Sequence, residues 1–270
     1  MQSNVIQQRV AVYSDPGHWV HVSDSPRHVR VFFGGETVAD SKRVKLVREA
    51  EALPVYYFSK DDVRTDLFVP SEHRSRCAVK GEASYWSVRV GTQVAEDAAW
   101  SYIAPLSEAA SLKDHFAFDW SKMDKWMEEV EEIFKHARDP FKRVDALPSK
   151  RHVRVVIDGQ TVADTRRPHL LFEINHPVRY YLPQEDVRMD LLVPSATTSR
   201  CPYKGPASYW SVKLGDRVFD DLVWGYMEPI PECPKIKGLL CFWHERGAEI
   251  YVDGELIRPP KTKWARPLRA

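Results

Sequence analysis

The sequence predicts a mainly β protein built as two tandem domains of about 120 residues each, a normal size for one hydrophobic core. Two observations carry this. The stretch SRCAVKGEASYWSV at Ser75 returns as SRCPYKGPASYWSV at Ser199, 124 positions later. Within each copy, apolar and polar residues alternate around glycine turns, the pattern of half-buried strands in hairpins.

The repeat is long. Residues 27–105 align with 151–229 without a gap, and 40 of the 79 positions are identical. RHVRV, TVAD, YY, DVR-x-DL, VPS and W-x-Y-x-x-P each occur twice in the same order. The register extends faintly to Asp15-Pro16 against Asp139-Pro140 and to Glu131 against Glu255. A solenoid unit spans only about 20–50 residues, so this period marks duplicated domains. The boundary is expected within FKHARDP, residues 134–140, giving domains 1–135 and 136–270.

Each element follows from local chemistry. HVRVFFGGETVAD alternates, turns at Gly34-Gly35 and alternates again, and its copy turns at Asp158-Gly159, a stronger hairpin signal. ASYWSVRVGTQVAED predicts a strand, a turn near Gly91 and a return strand. AEIYVDGELI predicts a hairpin about Asp253-Gly254. WMEEVEEIF spaces Trp126, Val130, Ile133 and Phe134 as a helix does, but its repeat partner is that last hairpin. The repeat outranks the local period and predicts a hairpin, with a short helix as the alternative. SKRVKLVREAE and RPHLLFEIN are read as irregular strands, with a helical turn as the alternative.

Composition excludes several classes. Apolar residues make up 43% and charged residues 29%, and the net charge is +1, so no basic field recommends nucleic acid or an anionic membrane as partner. No apolar run approaches the ~20 residues of a membrane span. MQSNVIQQRVAVYS lacks the charged and apolar regions of a secretory signal. The four cysteines form no C-x-x-C pair, and Cys77 and Cys201 are copies of one position. This predicts a reduced, cytoplasmic protein. Phosphate-loop, nucleophile-elbow and nucleic-acid signatures are absent from the sequence, so no cofactor is expected. Each repeat offers one shared cysteine and one shared histidine (His28, His152), far apart in sequence, which is not a structural zinc pattern. No metal is expected.

The motifs RHVRV…G-x-TVAD, YY…DVR-x-DL, C-x-x-KG-x-ASYWSV and W-x-Y-x-x-P, each present twice, resemble the family numbered 427 among the domains of unknown function. FDWSKMDKWMEE…HARDPFKRVD is similar to the join of its tandem members. The resemblance covers nearly the whole chain. It implies an Mss4-like β-tent of crossed sheets in each domain and says little about activity. The copies differ at Ser59-Lys60 against Pro183-Gln184 and at CAVKG against CPYKG. The second copy is nearer the family pattern, so a single working site is expected there.

Polar residues that did not drift between copies are the candidates for chemistry. Cys201 and Lys204 stand three apart before a glycine: a lysine lowers a neighbouring thiol's pKa, and a lysine on a turn binds anions or polarises a carbonyl. Their plain alternative is a small buried cysteine and a solvated lysine. Asp186, Arg188 and Asp190, taken as one strand, form an acid–base–acid row that could supply a general base and a carboxylate clamp, or a structural ion-pair network. Tyr209 is a candidate acid. Tyr180, Tyr181 and Trp224 are candidate pocket walls or core aromatics. Lys80, Arg64 and Tyr85 are the first-repeat counterparts.

Two functions follow. One is a cofactor-independent enzyme of hydrolase, lyase or isomerase type on a small polar organic molecule, with Lys204, Asp186, Tyr209 and Cys201 catalytic and Arg188, Asp190, Tyr180, Tyr181 and Trp224 binding. The other is a non-catalytic module for a small ligand or a protein, suited to bivalent contact. Equal pockets in both copies favour binding, and one open and one occluded pocket favours an enzyme with a supporting copy. The oligomeric state is left open.

Overall fold

The computed structural model describes residues 18–50 and 52–265. The N-terminal stretch read as carrying no secretory signal, and the Asp15-Pro16 echo of the repeat, lie outside them. The chain divides between Asp139 and Pro140, inside the expected seven-residue window and four residues beyond the boundary at 135/136.

The first domain contains β1 (Val20–Asp24), β2 (Val29–Phe33), β3 (Glu36–Ser41), β4 (Lys45–Glu49), β5 (Val55–Ser59), β6 (Phe68–Cys77), β7 (Gly81–Val90), β8 (Gln93–Ser101), β9 (His115–Phe118), β10 (Lys125–Glu128) and β11 (Glu131–Ile133). They form a seven-stranded sheet, β1-β4-β5-β9-β8-β7-β6, and a four-stranded sheet, β11-β10-β2-β3. The second domain contains β12 (Val144–Pro148), β13 (Val153–Ile157), β14 (Gln160–Thr165), β15 (His169–Glu173), β16 (Arg179–Leu182), β17 (Leu192–Cys201), β18 (Gly205–Leu214), β19 (Arg217–Gly225), β20 (Leu240–Phe242), β21 (Glu249–Val252) and β22 (Glu255–Leu256). Its sheets, β12-β15-β16-β20-β19-β18-β17 and β14-β13-β21-β22, repeat the first topology strand for strand. The fold is mainly β in both halves.

Turn chemistry places the hairpins. Gly34 and Gly35 lie at φ +58° and +82°, and Asp158 and Gly159 at +51° and +77°, the left-handed pair that a two-residue hairpin needs. Residues 126–134 form the β10–β11 hairpin and not a helix: Trp126 and Ile133 are buried and paired, while Val130 sits 86% exposed in the turn. The two stretches read as irregular strands are β4 and β15.

The first domain's large sheet buries residues on both faces. Tyr56 and Phe58 of β5 join Val29, Val31, Phe33, Phe118 and Trp126 between the two sheets. Tyr57, between them in sequence, joins Ala83, Tyr102, Leu112 and Ala117 on the opposite face. Burying each such side chain contributes about 1.5–3 kcal/mol. Neighbours on a strand point to opposite faces. Of the two readings of Tyr180 and Tyr181, pocket walls or core aromatics, the structure shows the second: both are buried, at 5% and 1% exposure, as consecutive residues of β16.

The expected strand through DVRMDL is also corrected. The segment is two 3-10 turns, Gln184–Asp186 and Met189–Leu191, joined at Val187, which makes a single bridge to Ala163. Arg188 has φ −70° and ψ 76°, so the acid–base–acid row does not lie along one extended face. A β-bulge between Trp210 and Val212 shifts the register within ASYWSV. Among the described residues, no helix is long and apolar enough to cross a membrane.

Candidate functional site

The C-x-x-KG corner is a tight turn between β17 and β18. Gly205 lies at φ +104°, and a Cβ there would come within 3.0 Å of the Ile230 backbone nitrogen. Only glycine fits both constraints. The turn aims Lys204 inward, where it is 8% exposed. Its ammonium donates to Oε2 of Glu173 at the end of β15. Lys142 Nζ lies 2.8 Å from the other carboxylate oxygen, and His176 Nδ1 lies 3.7 Å from it. Burial alone would push the Glu173 carboxyl up, but Lys204, His176 and Lys142 outweigh it and hold the carboxyl down to about 2. Burial likewise works against the Lys204 charge, and Glu173 and Cys201 outweigh it, so its pKa is raised. A raised lysine keeps its proton, the opposite of what a Schiff-base lysine requires. Lys80 repeats the arrangement with Glu49 in the first domain.

The remaining candidates are distributed around other partners. Cys201, Tyr209, Tyr181 and Trp224 belong to the packing around this corner. Trp224 Nε1 donates to Tyr181 Oη at 3.3 Å, and Tyr209 Oη lies 2.8 Å from Ser199 Oγ. Tyr85 makes the same contact with Ser75. Asp186 accepts from Thr165 Oγ1 at 2.6 Å and from Arg167 Nε at 2.9 Å. Arg167 holds its carboxyl below the ordinary range. Arg188 pairs with Asp190 through two bonds of 2.8 and 2.6 Å on the surface, and Arg64 does the same with Asp66. Asp186 is thus an engaged ion-pair partner, and Arg188 is closed by its own neighbour.

Sequence reasoning missed the partners. Arg43/Arg167 and Glu49/Glu173 are the shared charged residues of two stretches that otherwise drifted apart. Each turned out to hold a shared residue of opposite charge, Arg with Asp62/Asp186 and Glu with Lys80/Lys204.

A cavity of about 520 Å³ lies in the first domain. β5 pairs with β9 only at Phe58 and Ser59, so the ladder is open upstream. The opening is lined from both faces of the sheet, by Tyr56 and Trp126 on one and Tyr85 and Trp100 on the other, with Trp120 beside them. Trp120 stacks on Trp126 with centroids 4.1 Å apart, and His73 meets the Tyr85 ring at 4.4 Å. Lys122, Lys135 and His136 stand around this space with Asp97 and Asp119. The Trp126 Nε1–H is buried without a hydrogen-bond partner, although buried donors are nearly always satisfied. Of these cavity residues only Tyr85 was a sequence candidate.

The second domain treats the same space differently. There the ladder reaches one pair further, to Tyr181↔Cys241. Arg179, at the position of Val55, is buried with its guanidinium 5.4 Å from the Trp224 ring and 5.0 Å from that of Trp243, which replaces Asp119. Two bonds of 2.6 Å tie it to Glu245. Where the first repeat has its cavity, the second repeat therefore packs the Arg179 guanidinium against Trp224 and Trp243.

The family model described as a domain of unknown function (DUF427) matches residues 21–129 and 145–255. The chain belongs to the DUF427 family. The two matched regions fall one in each structural unit, so this is a tandem DUF427 protein with both copies folded alike. No curated protein matches the chain.

Proposed function

We propose that this DUF427 protein binds a small, flat organic molecule bearing hydrogen-bond acceptors or an anionic group, in the aromatic cavity of its first domain. The observation that carries this is a cavity walled by three tryptophans and two tyrosines, one of which, Trp126, has a buried indole N–H without a partner. Aromatic walls take a flat ligand by stacking, and a few polar groups fix its orientation. Lys135 and the buried N–H are donors, with Lys122, which already donates to the Glu96 carbonyl, beside them, so an acceptor-rich ligand such as a heteroaromatic carboxylate complements them. The groups an enzyme in the second repeat would need, Lys204 and Asp186, are held in ion pairs there, which favours the binding reading over the catalytic one.

A thermal-shift screen of aromatic and heteroaromatic carboxylates against the whole chain, followed by calorimetry, tests this. A ligand is expected that raises the melting temperature and loses about tenfold in affinity in Trp126→Phe, the worth of one hydrogen bond. No binder, or equal affinity in Trp126→Phe and Trp120→Ala, would overturn it.

One observation favours a second reading, an enzyme with one working and one supporting copy: the cavity is open in one domain and packed in the other. His73 against Tyr85 then supplies the titratable group. Under this reading the bound compound is converted, and His73→Ala abolishes product formation while binding persists.

A further inference from the structure

The first domain's charged corner has Ala52 where the second has His176, and it differs at a second position that points to a metal. His18 stands where the second domain has Lys142. Its Nε2 lies 2.8 Å from Glu49 Oε1 and 3.9 Å from Cys77 Sγ, and that thiol lies 3.4 Å from the same carboxylate oxygen. All three donor atoms lie within 4.8 Å of one another.

This is not a nucleophile–base–acid relay. In a relay the acid bonds one imidazole nitrogen and the nucleophile the other. Here the carboxylate and the sulfur both face Nε2. The three atoms converge on a common point, as ligands do. An ideal tetrahedral zinc with bonds of about 2.0–2.1 Å to N and O and about 2.3 Å to S sets ligand atoms about 3.3–3.6 Å apart. The observed separations bracket that range. A histidine, a carboxylate and a cysteine form a mixed donor set suited to zinc. His18 is 45% exposed, which leaves a fourth position open to water or a ligand.

The second domain shows what charge this position requires. There Glu173 faces two ammonium groups, Lys204 and Lys142. Among the described residues of the first domain Glu49 faces one, Lys80. A divalent ion bound to one thiolate carries one net positive charge, the same as the missing ammonium. We propose that His18, Glu49 and Cys77 bind a zinc-class divalent ion in the first domain, and that Lys142 takes the place of that ion in the second. The sequence reading compared only the shared histidines, His28 and His152, which instead pair with Asp40 and Asp164 at 2.6 and 2.7 Å.

The test uses the metal-stripped full chain titrated with cobalt(II), a spectroscopic stand-in for zinc. One equivalent is expected to bind with a thiolate-to-cobalt charge-transfer band. His18→Lys, which copies the second domain, should lose that band and weaken binding at least tenfold while the fold, read by circular dichroism, stays intact. Lys142→His should raise the stoichiometry to two, the new site drawing on Glu173 and Cys201. The inference is overturned if the wild type shows no charge-transfer band, if His18→Lys binds as the wild type does, or if Lys142→His gains no equivalent. None of these results bears on the Trp126 affinity test, so the cavity reading stands or falls separately.

Discussion

Glu173→Gln isolates the energetics of the charged corner. The substitution keeps the shape of the side chain and removes the charge that Lys204 and Lys142 face. The Glu173 side chain is 4% exposed, so water cannot replace what is lost. In the folded protein its carboxyl is held at about 2 against an ordinary value of 4.5. That difference corresponds to on the order of 3 kcal/mol of stability. A carboxyl depressed by folding contributes stability that is fully present above its unfolded pKa and is lost as pH falls through its folded pKa. The contribution of Glu173 is therefore complete at neutral pH and disappears between about pH 5 and about pH 2. Urea unfolding followed by tryptophan fluorescence reads this, with Glu49→Gln as the matched variant that identifies the first domain's transition. At neutral pH, Glu173→Gln should lower one transition by on the order of 3 kcal/mol. At about pH 2 the variant and wild type should converge, since the wild-type carboxyl is then substantially protonated. A neutral-pH loss under about 1 kcal/mol, or a loss that persists undiminished in acid, refutes the argument that the ion pair carries this stability.

Three further outcomes follow from the same structure. Arg179→Met strands Glu245, whose side chain is 0% exposed, and should cost the second domain about 3–5 kcal/mol in urea unfolding. Gly225→Ala places a Cβ 2.6 Å from the Leu239 carbonyl oxygen and should destabilise the second domain by about 1–3 kcal/mol by overpacking, a loss the same titration detects. Arg188→Ala removes only an exposed pair with Asp190, so the urea midpoint and the affinity for any cavity ligand should both match wild type.

The architecture was legible in the sequence because it rests on local chemistry and on duplication. Gly34-Gly35, Asp158-Gly159 and Asp253-Gly254 specify hairpins through backbone conformation alone. The repeat resolved residues 126–134, where the helical spacing of Trp126, Val130 and Ile133 conflicted with the hairpin. The site was less legible because its partners are tertiary. Lys204 and Glu173 are 31 residues apart, and no spacing rule connects them. Tyr181 and Trp224 were visible as aromatics, but their burial depends on a sheet packed on both faces, which neither residue encodes. The cavity depends on where the β5–β9 ladder stops, and strand pairing of that kind is set by the whole sheet.

Four of the charged residues shared by the two repeats, Lys80/Lys204, Asp62/Asp186, Arg64/Arg188 and Glu49/Glu173, are partners in ion pairs that recur in the same form. Two domains of one topology need the same turns and corners, and those contacts resist drift whatever either domain binds. The residues that separate the cavity from its packed counterpart are unshared: Val55 against Arg179, Asp119 against Trp243, Trp120 against His244 and Trp126 against Ile250. His18 against Lys142, the difference on which the metal inference turns, is unshared as well, as is Ala52 against His176. In a duplicated chain, identity between copies therefore tracks the fold, and a specific ligand is recorded where the copies part. Exchanging the four cavity positions into the second domain should open a second aromatic cavity, whereas exchanging the shared ion pairs changes nothing, because they are already the same.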